Sequence, residues 1–256
     1  MAPAQSVNSL AGQSQKRFPG FLVATLLPIL ILPFTELEGN LLQRMLLPLT
    51  TNLLVLQSIR IMPSMSQLHR HALFLVGGER LYRWLGLLAA IAMWLPFLSG
   101  RNAFGGWHGM ILAVICSFYL LTAVRIIQLI SQLEGINARS LCLGSAGYVH
   151  LGLTAGQVAT FIQVAAPGSF KLGPMLPGEE LVQRLTYYSF VTLGSIGYGD
   201  VLPATPAAEF FTVCLSIAGT LYVSLIIGLL LSRYINDQTS TIESSLEQDI
   251  RRAGGR

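Results

Sequence analysis

Long apolar runs broken by short polar stretches set the pattern of this chain. Residues 1–17 are polar and close on Lys16 and Arg17. An apolar run, Phe18 to Phe34, holds Pro28 and Pro33 and ends in Thr35, Glu36 and Glu38. No small-x-small cleavage site follows it, so it reads as a first membrane span and not as a secretory leader. A second run covers Leu41 to Ile61, with Arg44 and Arg60 near its ends. The stretch from Pro63 to Arg83 mixes His69, Arg70, His71, Glu79, Arg80 and Arg83 with an apolar patch at 73–75, the pattern of an amphipathic helix at the membrane interface. A third span runs from about Leu85 to Leu98, with Trp84 and Trp94 near its ends, and a fourth from about Met110 to Ser131. Between them Phe104, Gly105, Gly106 and Trp107 read as a turn with an interfacial aromatic. Glu134, Gly135, Asn137 and Arg139 break the pattern before a fifth span from about Ala146 to Ala166. A loop with Pro167, Gly168, Pro174, Pro177 and Gly178 leads to a short apolar-aromatic run, Leu181 to Leu193. The last span covers about Ala207 to Ser232, and a polar, partly helical tail runs from Arg233 to Arg256.

A helix needs about 20 residues to cross a hydrocarbon core of roughly 30 Å. Six runs meet or approach that length. The run at 181–193 does not, because 13 residues reach only about 20 Å. It is therefore re-entrant or peripheral. The non-helical stretch from Gly194 to Pro203 is tolerated at membrane depth only where it is buried in protein or lines water. The expected class is an all-α membrane protein with six transmembrane helices plus one re-entrant helix and its loop.

Composition narrows the choice of function. Of 256 residues, 52% are hydrophobic and 11% charged, against about 25% charged in an average soluble domain. The net charge is +4, and the two lysines, Lys16 and Lys171, make no basic stripe for phosphates, so no nucleic-acid partner is expected. Cys116, Cys142 and Cys214 are odd in number, lie in or beside apolar runs and read as small buried hydrophobes. No nucleophile–base pair and no metal-ligand cluster stands out, so an enzyme is not expected. With six spans, the side of the N-terminus carries Lys16, Arg17, Arg60, Arg70, Arg80, Arg83, Arg139, Arg233, Arg251, Arg252 and Arg256. The other side carries Arg44, Arg101, Lys171 and Arg184 beside Glu36, Glu38, Glu179 and Glu180. The positive-inside rule then makes both termini cytoplasmic and the loop at 167–206 extracytoplasmic.

The informative stretch is Phe190-Val191-Thr192-Leu193-Gly194-Ser195-Ile196-Gly197-Tyr198-Gly199-Asp200-Val201-Leu202-Pro203. It resembles the selectivity filter of the potassium channel family, Thr-x-Gly-Tyr-Gly-Asp, with Ser195 in place of the threonine. Gly-Tyr-Gly-Asp preceded two residues earlier by Ser or Thr would arise by chance in about one of several thousand chains of this length. It also sits between the last two spans, directly after a half-length helix. The physics agrees. A dehydrated potassium ion needs oxygen ligands, which rings of backbone carbonyls supply, one loop per subunit. Gly197 and Gly199 allow the backbone conformations that aim every carbonyl inward. Ile196 and Tyr198 would turn outward and brace the loop. Asp200 would support the filter and place one acid per subunit at the outer mouth. The helix at 181–193 would aim its negative C-terminal end at the axis.

Gly194 stands where the family carries threonine, and Ser195 keeps a hydroxyl without the methyl. Both a strictly potassium-selective and a weakly selective pore stay open. The likeness extends to Pro167-Gly168-Ser169-Phe170, to Tyr188-Ser189-Phe190-Val191-Thr192-Leu193 and to Ala218-Gly219-Thr220-Leu221-Tyr222. These look like small bacterial ion-channel proteins with a two-helix pore module behind about four extra N-terminal helices. The implied plan is a cytoplasmic segment at 1–17, a four-helix membrane region at 18–139, a pore module at 140–233 and a cytoplasmic tail at 234–256. The specific likeness spans roughly 140–233.

Other residues carry two readings. Gly219, midway along the last span, is a candidate gating hinge or a small residue for close helix packing; Gly228 reads as packing. Tyr187 and Tyr188 would form an aromatic cuff reaching toward Tyr198, or anchor the interface. Arg125 lies inside the fourth span, but Tyr119, Thr122, Gln128 and Ser131 at the neighbouring threefold spacings are uncharged, so it is no voltage sensor. It would snorkel, with Glu134 a partner. His150 reads as a structural histidine before a pH sensor, and His69 and His71 as a solvated face. Glu209 suits the N-terminus of the last helix.

The resemblance implies a potassium-selective channel that conducts passively across a plasma membrane as a homotetramer, with potassium ions as the permeant species and no cofactor. Ser195, Ile196, Gly197, Tyr198 and Gly199 would bind the ion, with Asp200, Tyr187, Tyr188 and Thr192 supporting the filter and mouth. A pore subunit that needs a partner chain is the alternative within this class. A transporter or scaffold is the alternative outside it, although no internal repeat of broken helices appears.

Overall fold

Leucine, isoleucine and alanine recur through the apolar runs, and few helix breakers interrupt them, so the backbone satisfies its own polar groups by winding into helices. The computed structural model describes residues 16–31, 41–61, 79–99, 108–131, 138–174 and 181–254. Its helices are α1 (Phe18–Ile31), α2 (Leu41–Ile61), α3 (Glu79–Ser99), α4 (His108–Ser131), α5 (Ala138–Ala165), α6 (Leu181–Leu193) and α7 (Pro206–Gly254). Two short strands, β1 (Phe170–Lys171) and β2 (Leu202–Pro203), pair antiparallel with Phe170 opposite Pro203 and Lys171 opposite Leu202.

Among the described residues, two helical stretches, Gly109–Ile130 and Pro206–Gly228, are by themselves long and apolar enough to cross a membrane. Helix α1 is apolar but has only 14 residues. The chain is thus a helical membrane protein, with α2 and α6 on the residues that the apolar runs predict.

Boundaries differ in three places. Helix α3 begins at Glu79, not near Leu85, so the end of the expected interfacial helix is the first turn of α3, where Arg83 pairs with Glu79 one turn before it. The rest of that stretch, with His69 and His71, lies outside the described residues. Helix α5 begins at Ala138, about two turns ahead of the expected Ala146, because nothing in Arg139-Ser140-Leu141-Cys142-Leu143 breaks a helix. Helix α7 does not stop at Ser232. It continues to Gly254 for 49 residues, or about 74 Å. The stretch 229–253 contains neither proline nor glycine, so nothing in it breaks the helix. It crosses the expected domain boundary at 233 without a break.

Helix α1 packs on α2 and α5, α2 on α3, α3 on α4, and α4 on α5, which closes a ring of five helices. Helix α4 shows how a helix apolar on both faces is divided. Ile111, Ile115, Phe118, Thr122, Ile126 and Leu129 recur at threes and fours and are buried, while Met110, Leu120, Val124 and Ile127 point outward and are exposed. Lipid is as apolar as the interior, so close packing, not the escape from water, holds such a ring. Helix α5 is shared. One side closes the ring, and the other packs on α6 and α7. Gly156 allows the closest approach to α6, because a Cβ there would lie 2.8 Å from the Thr186 Cα.

Candidate functional site

Seven of the 13 residues of helix α6 are buried, Leu185, Thr186, Tyr188, Ser189 and Leu193 among them. It packs against both α5 and α7 and ends at Leu193. That end is a Schellman cap. The Ile196 N–H donates to the Val191 carbonyl at 2.9 Å, and the Ser195 N–H to the Thr192 carbonyl at 3.0 Å. Ser195 occupies the left-handed position of the cap with φ +57°, where glycine is usual. Thr192 therefore contributes its carbonyl to the cap and carries Ser195. The Gly197 N–H also points to the Val191 carbonyl, at 3.3 Å.

From this cap the backbone alternates. Ser195, Gly197 and Gly199 have φ of +57°, +61° and +78°, and the residues between them do not have positive φ. Left-handed residues at every second position turn successive carbonyls toward one side, the arrangement a column of oxygen ligands requires. Gly194 to Asp200 are all exposed, although Leu193 before them and Val201 after them are buried. Ile196 is 56% and Tyr198 68% exposed in the single chain.

The outer end of the loop is stitched to its surroundings. The β1–β2 pair joins the segment after the loop to the segment before α6, and the Ala204 N–H donates to the Ser169 carbonyl at 2.8 Å. The Phe170 N–H donates to Gln163 Oε1 on α5, also at 2.8 Å. Arg184 of α6 donates from Nε to the Leu172 carbonyl at 3.0 Å, and its Nη2 lies 3.4 Å from Asp200 Oδ2. Tyr187 on the same helix lies beside this pair, with its ring centre 5.5 Å from the Arg184 guanidinium carbon.

The two tyrosines expected to act as a pair diverge. Tyr187 is exposed and faces Asp200 and Arg184. Tyr188 is buried, meets the Phe170 ring edge-on at 5.3 Å, and shares a 2.5 Å hydrogen bond with Thr212 of α7. Within one chain Tyr188 braces α6 against α7 and does not reach toward Tyr198. Helix α7 starts with Thr205 as its N-cap, whose Oγ1 accepts from the Ala208 N–H at 3.4 Å, then Pro206, with Glu209 in the first turn.

Gly219 is buried against the end of α6. A Cβ there would lie 2.3 Å from the Leu193 carbonyl oxygen. The same carbonyl accepts from the Tyr148 hydroxyl of α5 at 3.4 Å. Tyr148 in turn meets Tyr222 of α7, whose hydroxyl donates to the Gly144 carbonyl at 2.6 Å. The carbonyl end of α6 is thus gripped from both flanking helices. Sequence reasoning assigned no role to Arg184, Tyr148 or Tyr222, although Tyr222 closes the family-like stretch Ala218-Gly219-Thr220-Leu221-Tyr222. A lone arginine in a short helix was the one available signal for the first, and nothing pointed to Tyr148.

Away from this site, Arg125 sits in the five-helix ring with its guanidinium carbon 4.0 Å from the centre of the Tyr82 ring. The Tyr82 hydroxyl shares a 3.0 Å hydrogen bond with Thr122. Glu134, expected as its partner, lies outside the described residues. His150 is fully buried, stacks on Tyr119 at 5.3 Å, and places Nε2 3.2 Å from the Tyr119 carbonyl.

Residues 148–236 match a family model described as ion channel. Over 102 residues, 39% of this chain, the sequence is 31% identical to the two pore potassium channel c of Oryza sativa subsp. japonica. That match covers 20% of the relative, so the chain spans about a fifth of the length of the curated protein it matches. The matched stretch begins inside α5 and ends in α7, and so takes in all of α6 and the loop after it.

Proposed function

We propose that the chain is one subunit of a potassium-selective pore, a reading supported by the match of residues 148–236 to an ion-channel family model and by the likeness to a two pore potassium channel. Four identical copies surround one axis, and each contributes the loop from Ser195 to Gly199. Potassium passes down its gradient through the rings of carbonyls, and no bond is made or broken. The chain crosses a plasma membrane six times with both termini in the cytoplasm. Residues 18–139 form the peripheral helices, 140–233 the pore module and 234–256 the cytoplasmic tail.

The exposed loop carries this reading. Seven consecutive residues, Gly194 to Asp200, are exposed between two buried ones, and they include an isoleucine and a tyrosine. A single chain gains nothing by presenting such a surface beside an apolar helix. Neighbouring copies would cover Ile196 and Tyr198 and leave the carbonyls toward the axis. The outward face of α7 supports the same assembly, since Phe210, Val213, Ile217 and Leu221 are all exposed along it. A carbonyl cage needs about four loops to replace a hydration shell, and a cyclic tetramer supplies them.

Liposomes loaded with the purified chain test the reading under separate potassium and sodium gradients, beside Gly197→Ala. The expected outcome is potassium flux well above sodium flux, lost in the variant. Equal fluxes keep the pore and reject strict selectivity. A verified monomer without flux rejects the homotetrameric channel.

A further inference from the structure

We propose that Arg184 is a positioning residue of the outer mouth, holding Asp200 toward α6 and thereby fixing the outermost carbonyls for the permeant cation. The inference rests on the channel reading above and adds the residue on which its outer end depends.

One guanidinium ties together three segments that are distant in sequence. Its Nε donates to the Leu172 carbonyl at 3.0 Å, in the segment that follows β1. Its Nη2 is 3.4 Å from the Asp200 carboxylate, directly after Gly199. Its carbon lies 5.5 Å from the centre of the Tyr187 ring on its own helix. The arginine fork is planar and always charged, so it holds two acceptors at fixed angles, whereas a lysine ammonium is a point charge whose donors rotate. The Arg184 side chain is 15% exposed and the Asp200 side chain 37%, so the arginine approaches from the protein side and leaves the acid open toward the mouth. Backbone packing locks the same junction. Gly173, at φ +65°, faces the Asp200 carbonyl so closely that a Cβ would lie 2.7 Å from it.

The consequence concerns what Asp200 does. A free acid at a pore mouth attracts any cation and does not discriminate. An acid paired to Arg184 acts in addition as a tether on the chain at the exit of the loop. Tyr198 and Gly199 are the two residues next to it. Their carbonyls keep the spacing that suits potassium only while that end is held. Arg184 touches no permeant ion and acts through Asp200.

The test is a double-mutant cycle on the reconstituted tetramer. The variants are Arg184→Gln, Asp200→Asn and both together, read as the ratio of potassium to sodium flux. Each single change is expected to lower the ratio by about tenfold, the worth of one charge-assisted hydrogen bond. The double change is expected to lower it no further than either one. Arg184→Lys is expected to fall between wild type and Asp200→Asn, and it decides the matter if Arg184→Gln does not assemble. Hydrogen exchange at the amides of 170–173, 202 and 204 is expected to quicken in Arg184→Gln. An Arg184→Gln tetramer with the wild-type ratio overturns the inference. So do single effects that multiply in the double variant. A wild type without potassium preference keeps the pore but fails the selective reading on which this inference rests, whereas a selective wild type with an unmoved Arg184→Gln ratio fails this inference alone.

Discussion

Gly219 of α7 rests on the carbonyl oxygen of Leu193, the last residue of α6, with no room for a methyl group between them. A Cβ at 219 would lie 2.3 Å from that oxygen and 3.0 Å from Leu193 Cδ1. The first atom is backbone and cannot rotate aside. Gly219→Ala must therefore push α7 from α6, an overpacking that costs about 1–3 kcal/mol. The expected result is a lower melting temperature of the assembled protein and a loss of flux. An alanine variant that melts and conducts like wild type would show that the contact is not made.

Gly228 supplies the contrast two and a half turns further along the same helix. A Cβ there would meet nothing within 4 Å. Alanine relieves the helix of glycine's backbone entropy, worth about 0.5–1 kcal/mol. Gly228→Ala should melt no lower than wild type. Destabilisation as large as that of Gly219→Ala would mean that a neighbouring copy approaches α7 at this point.

The contrast shows what a sequence can and cannot display. Helix positions were readable because apolar runs of fixed length have few alternatives in a membrane, and α2 and α6 fall on the expected residues. The family motif was readable because Gly-Tyr-Gly-Asp is a rare local string. Gly219 offered bending and close packing equally, because a glycine in a helix looks the same in either case until its neighbour is known. Arg184, Tyr148 and Tyr222 act across 12, 45 and 78 residues of sequence, through backbone carbonyls that any residue type would present. No residue pattern encodes such a bond. The continuous α7 was hidden for a different reason. Polarity marked the tail after Arg233 as leaving the membrane, and polarity says nothing about whether a helix without breakers stops there.

Ser195 carries strain that can be measured. It holds φ +57° at the left-handed position of the α6 cap, a conformation that costs a residue with a Cβ about 1–2 kcal/mol. Ser195→Ala removes the hydroxyl and keeps the strain, whereas Ser195→Gly removes both. Glycine is expected to give the more stable protein by about 1 kcal/mol, read from thermal melting in detergent. Equal stability of the two variants would mean that the backbone relaxes out of the left-handed region at this position.

Tyr188 and Thr212 provide a second cycle, at the joint between α6 and α7. Their hydroxyls lie 2.5 Å apart, and Thr212 also donates to the Ala208 carbonyl one turn back. Tyr188→Phe removes the shared bond and leaves the ring against Phe170. Its cost should be about 1 kcal/mol. Thr212→Val should cost a similar amount, and the pair together should cost less than the sum. Additive losses would place the two hydroxyls on separate partners.

Arg125 tests the role of the helical ring. Its guanidinium lies over Tyr82, which is fully buried, and its neighbours at threefold spacing along α4 carry no charge. Steep voltage dependence requires several charges moving through the field, since each contributes about 2.3 kcal/mol per 100 mV. One arginine fixed on an aromatic ring does not provide that. Arg125→Gln is expected to leave the slope of the current–voltage relation unchanged. It should lower thermal stability by about 1–2 kcal/mol through loss of the cation–π contact. Tyr82→Leu should do the same, and Arg125→Gln should add little to it. A variant whose opening shifts steeply along the voltage axis while its stability holds would instead make Arg125 a gating charge.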